Sequence, residues 1–279
     1  MKKNIGIVGN GFVGNSIAFG FSPTHEIKIH DKDPLRNLNT LDEVLECDFI
    51  FVAVPTPMCE DGSISLSVVE AALQEIADNN KNRNNIVILK STMIPGSTNN
   101  FIKQFPELNI VFNPEFLTER TAKLDFLTQA RIILGGSKEL TRSVAELFKE
   151  RFMHTYIIET DTITAELIKY MNNVFFASKV SIMNELKLMG DAVGANWEDA
   201  LKGFAADQRI GDSHLNVPGP DGKLGFGGSC FPKDINAFTS MADKIGIDVP
   251  TIKGAWQTNL NVRPEKDWEQ LEGRAVVKK

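Results

Sequence analysis

The segment Gly225-Phe226-Gly227-Gly228-Ser229-Cys230-Phe231-Pro232-Lys233-Asp234 carries the residue types with the most chemical potential in this sequence. A thiolate beside a cation is an activated nucleophile. Lys233 and Asp234 put opposite charges within a turn of the Cys230 thiol, and the surrounding glycines let backbone approach a ligand. Cys47 and Cys59 have no such setting and read as inert packing thiols. A second constellation opens the chain: Gly9-x-Gly11-x-x-Gly14, directly after the apolar run Ile5-Gly6-Ile7-Val8. In that context Gly9 permits a tight turn, Gly11 lets a pyrophosphate reach the backbone, and Gly14 allows close helix–strand packing. A helix starting at Phe12 and Val13 presents N–H groups and a positive dipole end to phosphates. Asp31 lies 22 residues beyond Gly9, where a carboxylate accepts both ribose hydroxyls and repels a 2′-phosphate. The expected cofactor is therefore NAD, with Lys32 the one neighbour that would tolerate NADP.

These groups need a scaffold. Short apolar runs at Glu26–His30, Asp48–Val54, Ile86–Leu89, Asn109–Phe112 and Arg131–Leu134 read as strands covered on both faces. Helical spacing at Leu66–Ile76 and Glu139–Phe152 lies between them, which implies a doubly wound α/β sheet ending near Thr160. From Thr164 to Met189 the pattern changes to one uninterrupted helix, roughly 39 Å long at 1.5 Å per residue. Helices are also expected at Trp197–Ala206, Phe238–Ile245 and Thr251–Leu260, the last stopped by Pro264. Asp207–Gly228 reads as a functional loop, and the charged tail Glu265–Lys279 as loosely held.

The 279 residues argue for about two domains. A net charge of −6 gives no footprint for nucleic acid, and no apolar run has a membrane span's length. The start Met1-Lys2-Lys3-Asn4 leaves no room for a signal peptide, and three unrelated cysteines fit a reducing, cytoplasmic setting. The four histidines lack ligand spacing, so no metal is expected; His214 reads as a surface or interface residue.

In order along the chain stand the glycine fingerprint, Val54-Pro55-Thr56-Pro57 with Asp61-Gly62, and Lys90-Ser91-Thr92 with Pro95-Gly96. Asn113-Pro114-Glu115-Phe116-Leu117-Thr118-Glu119, Lys169 with Asn173, Arg209-Ile210-Gly211 and the Cys230 decapeptide follow. This ordered set, covering residues 4 to about 262, resembles the UDP-glucose/GDP-mannose dehydrogenase family, most closely its UDP-glucose 6-dehydrogenase branch. The resemblance implies a Rossmann-like doubly wound parallel sheet over residues 1–160, followed by an all-α central and dimerisation domain over 161–279. It further implies oxidation of the sugar C6 hydroxymethyl to a carboxylate with two NAD in succession, through a thiohemiacetal and thioester on Cys230. By the same resemblance Lys169 stabilises oxyanions with Asn173 one turn along, Asp234 and Thr92 position water and handle protons, and Glu119 assists hydrolysis. Pro55, Thr56, Thr92, Glu119 and Lys233 join the fingerprint in holding NAD. Glu115, Phe116, Leu117, Glu119, Lys169, Asn173, Phe226 and Gly227 hold the UDP-sugar, with Arg209 reaching it across a homodimer interface.

Read from residue types alone, Lys169 and Asn173 equally describe a solvated helix face, Glu115 and Glu119 caps or surface carboxylates, and Arg131 a structural residue. The chain also departs from the family. Lys32–Leu45 is short, Asp221-Gly222-Lys223-Leu224 is inserted after Pro218-Gly219-Pro220, and Arg120 replaces a small residue. The family's second nucleotide-binding domain has no counterpart before Lys279. Alternatives to a UDP-glucose enzyme are a GDP-mannose 6-dehydrogenase, a two-electron alcohol dehydrogenase, and a non-catalytic or partner-dependent NAD-binding homologue.

Overall fold

The computed structural model describes residues 3–278. Met1, Lys2 and Lys279, on which the reading of the chain ends partly falls, lie outside them. The elements run β1 (Asn4–Val8), α1 (Phe12–Phe21), β2 (Glu26–His30), α2 (Leu41–Leu45), β3 (Phe49–Val52) and α3 (Ser67–Asn79). There follow β4 (Ile86–Leu89), α4 (Ser97–Gln104), β5 (Asn109–Phe112), α5 (Ala122–Leu127), β6 (Arg131–Gly135), α6 (Lys138–Arg151) and β7 (Tyr156–Thr160). The helices α7 (Thr162–Ala192), α8 (Trp197–Ala205), α9 (Phe231–Lys244) and α10 (Pro250–Val262) follow, with a short 3-10 helix (Asp267–Gln270) in the tail.

Two compact units result, one of residues 1–56 and 66–169, the other of 57–65 and 170–279. In the first, one seven-stranded sheet has the order β2-β1-β3-β4-β5-β6-β7. Successive residues of a strand face opposite sides, so Ile50 and Val52 pack with Leu73 and Ile76 of α3, while Phe49 and Phe51 pack with Ile17 and Phe21 of α1 and Phe148 of α6. This is the Rossmann-like doubly wound arrangement, with one correction to a wholly parallel sheet: β6 pairs antiparallel to β5, and β7 runs parallel to β6. The order reverses at β1, so the crevice for a ligand lies at the carboxyl ends of β1 and β3, where the fingerprint and Pro55-Thr56 emerge.

The second unit is mainly helical. Ala177, Phe226, Ile235 and Ala255 form one small core, and Met183, Leu215 and Val217 another. Helix α9 begins at Phe231, not Phe238, because Pro232 at a first-turn position is compatible with a helix start. The tail is not loosely held. Trp268 is buried against Trp256, and the Met58 N–H donates to Ala275 O while the Val277 N–H donates to Met58 O, both at 2.9 Å.

Candidate functional site

In the fingerprint the three glycines have three separate causes. Gly9 has φ +97° and a Cβ there would stand 2.7 Å from the Ala53 carbonyl oxygen; one at Gly14 would stand 1.9 Å from the Gly9 oxygen. Gly11 has an ordinary φ of −76°, and a Cβ there would meet nothing within 4 Å. Neither strain nor crowding within the protein requires glycine at 11, so the open space there is available for close approach by a ligand. The first bond of α1 runs from the Asn15 N–H to Gly11 O at 2.9 Å, so the N–H groups of Phe12, Val13 and Gly14 point out of the helix end. Asn10 Oδ1 is buried with no hydrogen-bond partner among the described residues. Asp31 accepts from the Asn10 N–H at 2.6 Å with one oxygen and from the Asp33 N–H at 2.8 Å with the other. Each oxygen keeps a further lone pair, so the carboxylate that fastens the turn retains capacity for ribose hydroxyls. These residues fit a dinucleotide, with the spare acceptor capacity of Asp31 suited to ribose hydroxyls.

The ends of β4 and β5 carry a buried charge cluster in the same unit. Lys90 Nζ donates to Asn113 Oδ1 at 2.9 Å and to Pro114 O at 3.3 Å. Asn113 Nδ2 donates to Ile133 O at 2.7 Å. Lys169 Nζ donates to the carbonyl of Glu115 at 2.5 Å and to its Oε1 at 2.9 Å, while Glu115 Oε2 accepts from the Leu117 N–H at 2.7 Å. Burial pushes the Lys90 amine down to about 7, the Lys169 charge adding to the effect and Glu115 opposing it. Burial alone would raise the Glu115 carboxyl, but Lys169, the Leu117 N–H and Lys90 together hold it below the usual range. Two cations lie over the Phe116 ring, Arg131 at 4.3 Å and Lys169 at 5.4 Å from its centroid. Thus Glu115 and Lys169 are a buried ion pair, neither a cap nor a solvated face. Thr56 and Thr92 are buried, Ser91 Oγ donates to Val54 O at 2.6 Å, and Pro55 and Glu119 are exposed. Lys90 was given no role among the expected site residues, although it opens the Lys90-Ser91-Thr92 motif at the end of an apolar strand.

The second unit assembles the other group. Cys230 is half-buried at the N-cap of α9, with Ser229 Oγ 3.9 Å from its sulfur. Its carbonyl accepts from the Asp234 N–H at 2.8 Å, the first bond of the helix. Lys233 and Asp234 are buried and paired through Asp234 Oδ1, and Asn173 Nδ2 donates to Oδ2 at 2.5 Å. Phe226 is buried, its N–H donating to Asn259 Oδ1 at 2.7 Å and its carbonyl accepting from Asn259 Nδ2 at 3.0 Å. A Cβ at Gly227 would collide with Arg263 Nη2 at 2.6 Å, so packing already requires that glycine. Arg209 is exposed and forked onto Asp207. Among the described residues no three His, Cys, Asp or Glu side chains are grouped to hold a metal ion, and no helix is long and apolar enough to cross a membrane.

A doubly wound unit with a fitted dinucleotide turn, followed by a helical unit presenting a thiol at a helix start, defines a nicotinamide-dependent oxidoreductase scaffold with a candidate covalent nucleophile. The family models place it further. Residues 28–153 match the NAD binding domain of the UDP-glucose/GDP-mannose dehydrogenase family, and residues 163–261 match its central domain. The chain is 32% identical to UDP-glucose 6-dehydrogenase AglM of Haloferax volcanii over 97% of its own length and 72% of the relative's. It is 34% identical to the UDP-glucose 6-dehydrogenase of Rickettsia conorii over 85% of its length, but spans 56% of that relative. The structure of a UDP-glucose dehydrogenase from Pyrobaculum islandicum superposes with a TM-score of 0.84 at 27% identity, covering 94% of this chain and 68% of that one. The chain belongs to the UDP-glucose/GDP-mannose dehydrogenase family, and its cofactor is NAD.

Proposed function

We propose that the chain oxidises UDP-glucose to UDP-glucuronate, with Cys230 as the covalent nucleophile. One observation carries the reading furthest: the Cys230 thiol opens α9 one turn ahead of an Asp234 carboxylate that is buried and held by both Lys233 and Asn173. A buried, doubly held carboxylate has little flexibility and suits proton handling beside a reacting group. In the proposed sequence the C6 alcohol loses a hydride and a proton to give an aldehyde. The Cys230 thiolate adds to the aldehyde carbon, and the oxygen takes a proton to give a thiohemiacetal. Loss of a second hydride and proton leaves a thioester, and water displaces the thiolate to leave the carboxylate. NAD, when bound, accepts the hydrides. In balance, one alcohol, two NAD⁺ and one water give one carboxylate, two NADH and three protons.

Lys169 supplies the positive charge for alkoxide and tetrahedral oxygens, with Asn173 one turn on along α7. Asp234 and Thr92 order water, and Glu119 assists hydrolysis. Glu115, Phe116, Leu117, Phe226 and Gly227 take the UDP-sugar; Pro55, Thr56 and Lys233 support the cofactor. In a homodimer the Arg209 of one copy serves the sugar nucleotide of the other.

The test is NADH formed per UDP-glucose consumed by the purified chain. The reading expects two, with glucuronate as product, and a loss of at least about 100-fold in turnover for Cys230→Ser, the scale of a missing nucleophile or its activating group. Full turnover by Cys230→Ser would favour a two-electron alcohol dehydrogenase. NAD binding without NADH would favour the binding-module reading, and faster turnover of GDP-mannose would move the substrate assignment.

A further inference from the structure

The four residues inserted before the cysteine segment are joined to a buried cation. The Arg263 side chain, immediately after α10, is 2% exposed. Its Nη2 donates to Asp221 Oδ2 at 2.8 Å and to Asp267 Oδ2 at 2.7 Å, its Nε to Asp267 Oδ1 at 2.9 Å, and its Nη1 to Leu224 O at 3.2 Å. The guanidinium thus bonds both ends of the insertion, Asp221 and Leu224, and ties them to the tail. Lys223 adds an outer pair to Glu265 at 3.1 Å. On the other side, the same guanidinium occupies the space a side chain at Gly227 would need. Gly227 lies three residues before Cys230, and Asn259 on α10 grips the chain just ahead of Gly227, at Phe226.

We propose that Arg263 is a positioning residue for Cys230: clamped by Asp221 and Asp267, it holds the inserted turn and the Gly225–Ser229 segment so that the thiol is presented at the start of α9. The inference deepens the dehydrogenase reading and rests on it for the thiol's purpose. Arg suits the task because its planar fork spreads donors on three nitrogens toward two carboxylates and a carbonyl, whereas a lysine offers all its donors from one point. Released from the clamp, the segment exposes a thiol that is half-buried in the intact protein.

The experiment is iodoacetamide alkylation of the native chain, read cysteine by cysteine by peptide mass spectrometry. Cys59, part-buried like Cys230 and in the same unit, serves as the reference whose own acceleration reports unfolding of that unit, and buried Cys47 as the reporter for the first unit. In Arg263→Gln and in Asp221→Asn, Cys230 is expected to label at least twice as fast relative to Cys59, with Cys47 unlabelled. Arg263→Lys, which keeps the cation but not the fork, is expected between wild type and Arg263→Gln; a mere volume change would not produce that grading. If Arg263→Gln unfolds and exposes Cys47, the partly exposed Asp221 variant decides. Less than a doubling in Asp221→Asn overturns the proposal, as does less than a doubling in Arg263→Gln with Cys47 still protected. A lysine variant labelling as fast as the glutamine one also overturns it. No turnover enters this readout, so its failure is distinct from failure of the dehydrogenase reading, which the NADH count tests.

Discussion

A lysine whose amine is held at about 7 in the folded chain, against 10.5 ordinarily, binds a proton when unfolded that it gives up on folding. Raising the pH from 7 toward 10.5 therefore favours the folded state through Lys90, because the unfolded chain binds more protons across that window. Lys90→Met removes the contribution. Between pH 7 and 9 the unfolding free energy of the wild type should rise relative to the variant by at most about 2 kcal/mol, measured by urea unfolding at each pH. Parallel pH dependence of the two proteins would refute the linkage. Gly11→Ala makes the opposite kind of test, because the side chain has open space and an ordinary backbone. Stability should change by less than about 1 kcal/mol, while the NAD dissociation constant from calorimetry rises at least about tenfold, a cost of ~1.4 kcal/mol. Gly14→Ala, aimed at the Gly9 carbonyl, should instead lower stability first. The fingerprint and Cys230 were legible because residue type and spacing carry their chemistry. Lys90 stood in the sequence only as the opening of a motif with no role of its own, because its burial depends on Asn113 and Pro114, on the next strand's loop.

At the level of elements, the edge strand β2 shows only through Ile27 and Ile29, while strands β1 and β3 to β6 show in the sequence as apolar runs because both faces of the sheet are covered there. Strand β7 does not: Tyr156-Ile157-Ile158-Glu159-Thr160 is a partly exposed edge strand whose pattern lacks that continuity. The reversal at β6 is equally invisible, since periodicity records which residues are buried and not which way a strand runs. Helix α4 shows a further limit. Its N-cap, Gly96, has no side chain to close the helix start, and the partner comes from far along the chain. The fully buried Glu166 of α7 accepts from the Gly96 N–H at 2.6 Å, from the Thr98 N–H at 2.7 Å and from Thr98 Oγ1 at 2.6 Å. Burial raises this carboxyl despite those three bonds. In Glu166→Gln one oxygen acceptor becomes an N–H₂ donor facing another donor, so at least one buried N–H loses its partner. The expected cost is about 1–3 kcal/mol of unfolding free energy, with NAD affinity unchanged. A neutral substitution by chemical denaturation would mean that the three bonds contribute nothing net.

At the scale of the whole molecule, the long helix α7 carries the surface that bears on assembly. Leu167, Met171, Phe175, Ile182, Leu186 and Met189 recur at spacings of four, four, seven, four and three along α7, which places them on one stripe. Met171, Phe175 and Met189 are 61%, 64% and 64% exposed. Scattered apolar side chains are ordinary on a surface, but a continuous helical stripe of large ones is a docking face. We propose a second copy of the chain as its occupant, since a helix with such a stripe can pair with its own symmetry mate and bury both at once. Each copy carries a net charge of −6, so long-range repulsion opposes association and added salt should screen it while apolar burial persists. Sedimentation velocity should therefore show twice the monomer mass, held or strengthened at 0.5 M salt. Phe175→Glu puts a carboxylate in the middle of the stripe, where pairing would bury it without a partner, and should give a folded monomer with an unchanged circular dichroism spectrum. Because Arg209 is proposed to act across that interface, the same variant should lose affinity for UDP-glucose while keeping its affinity for NAD. A wild-type chain that sediments as a monomer would remove both the dimer and the role given to Arg209.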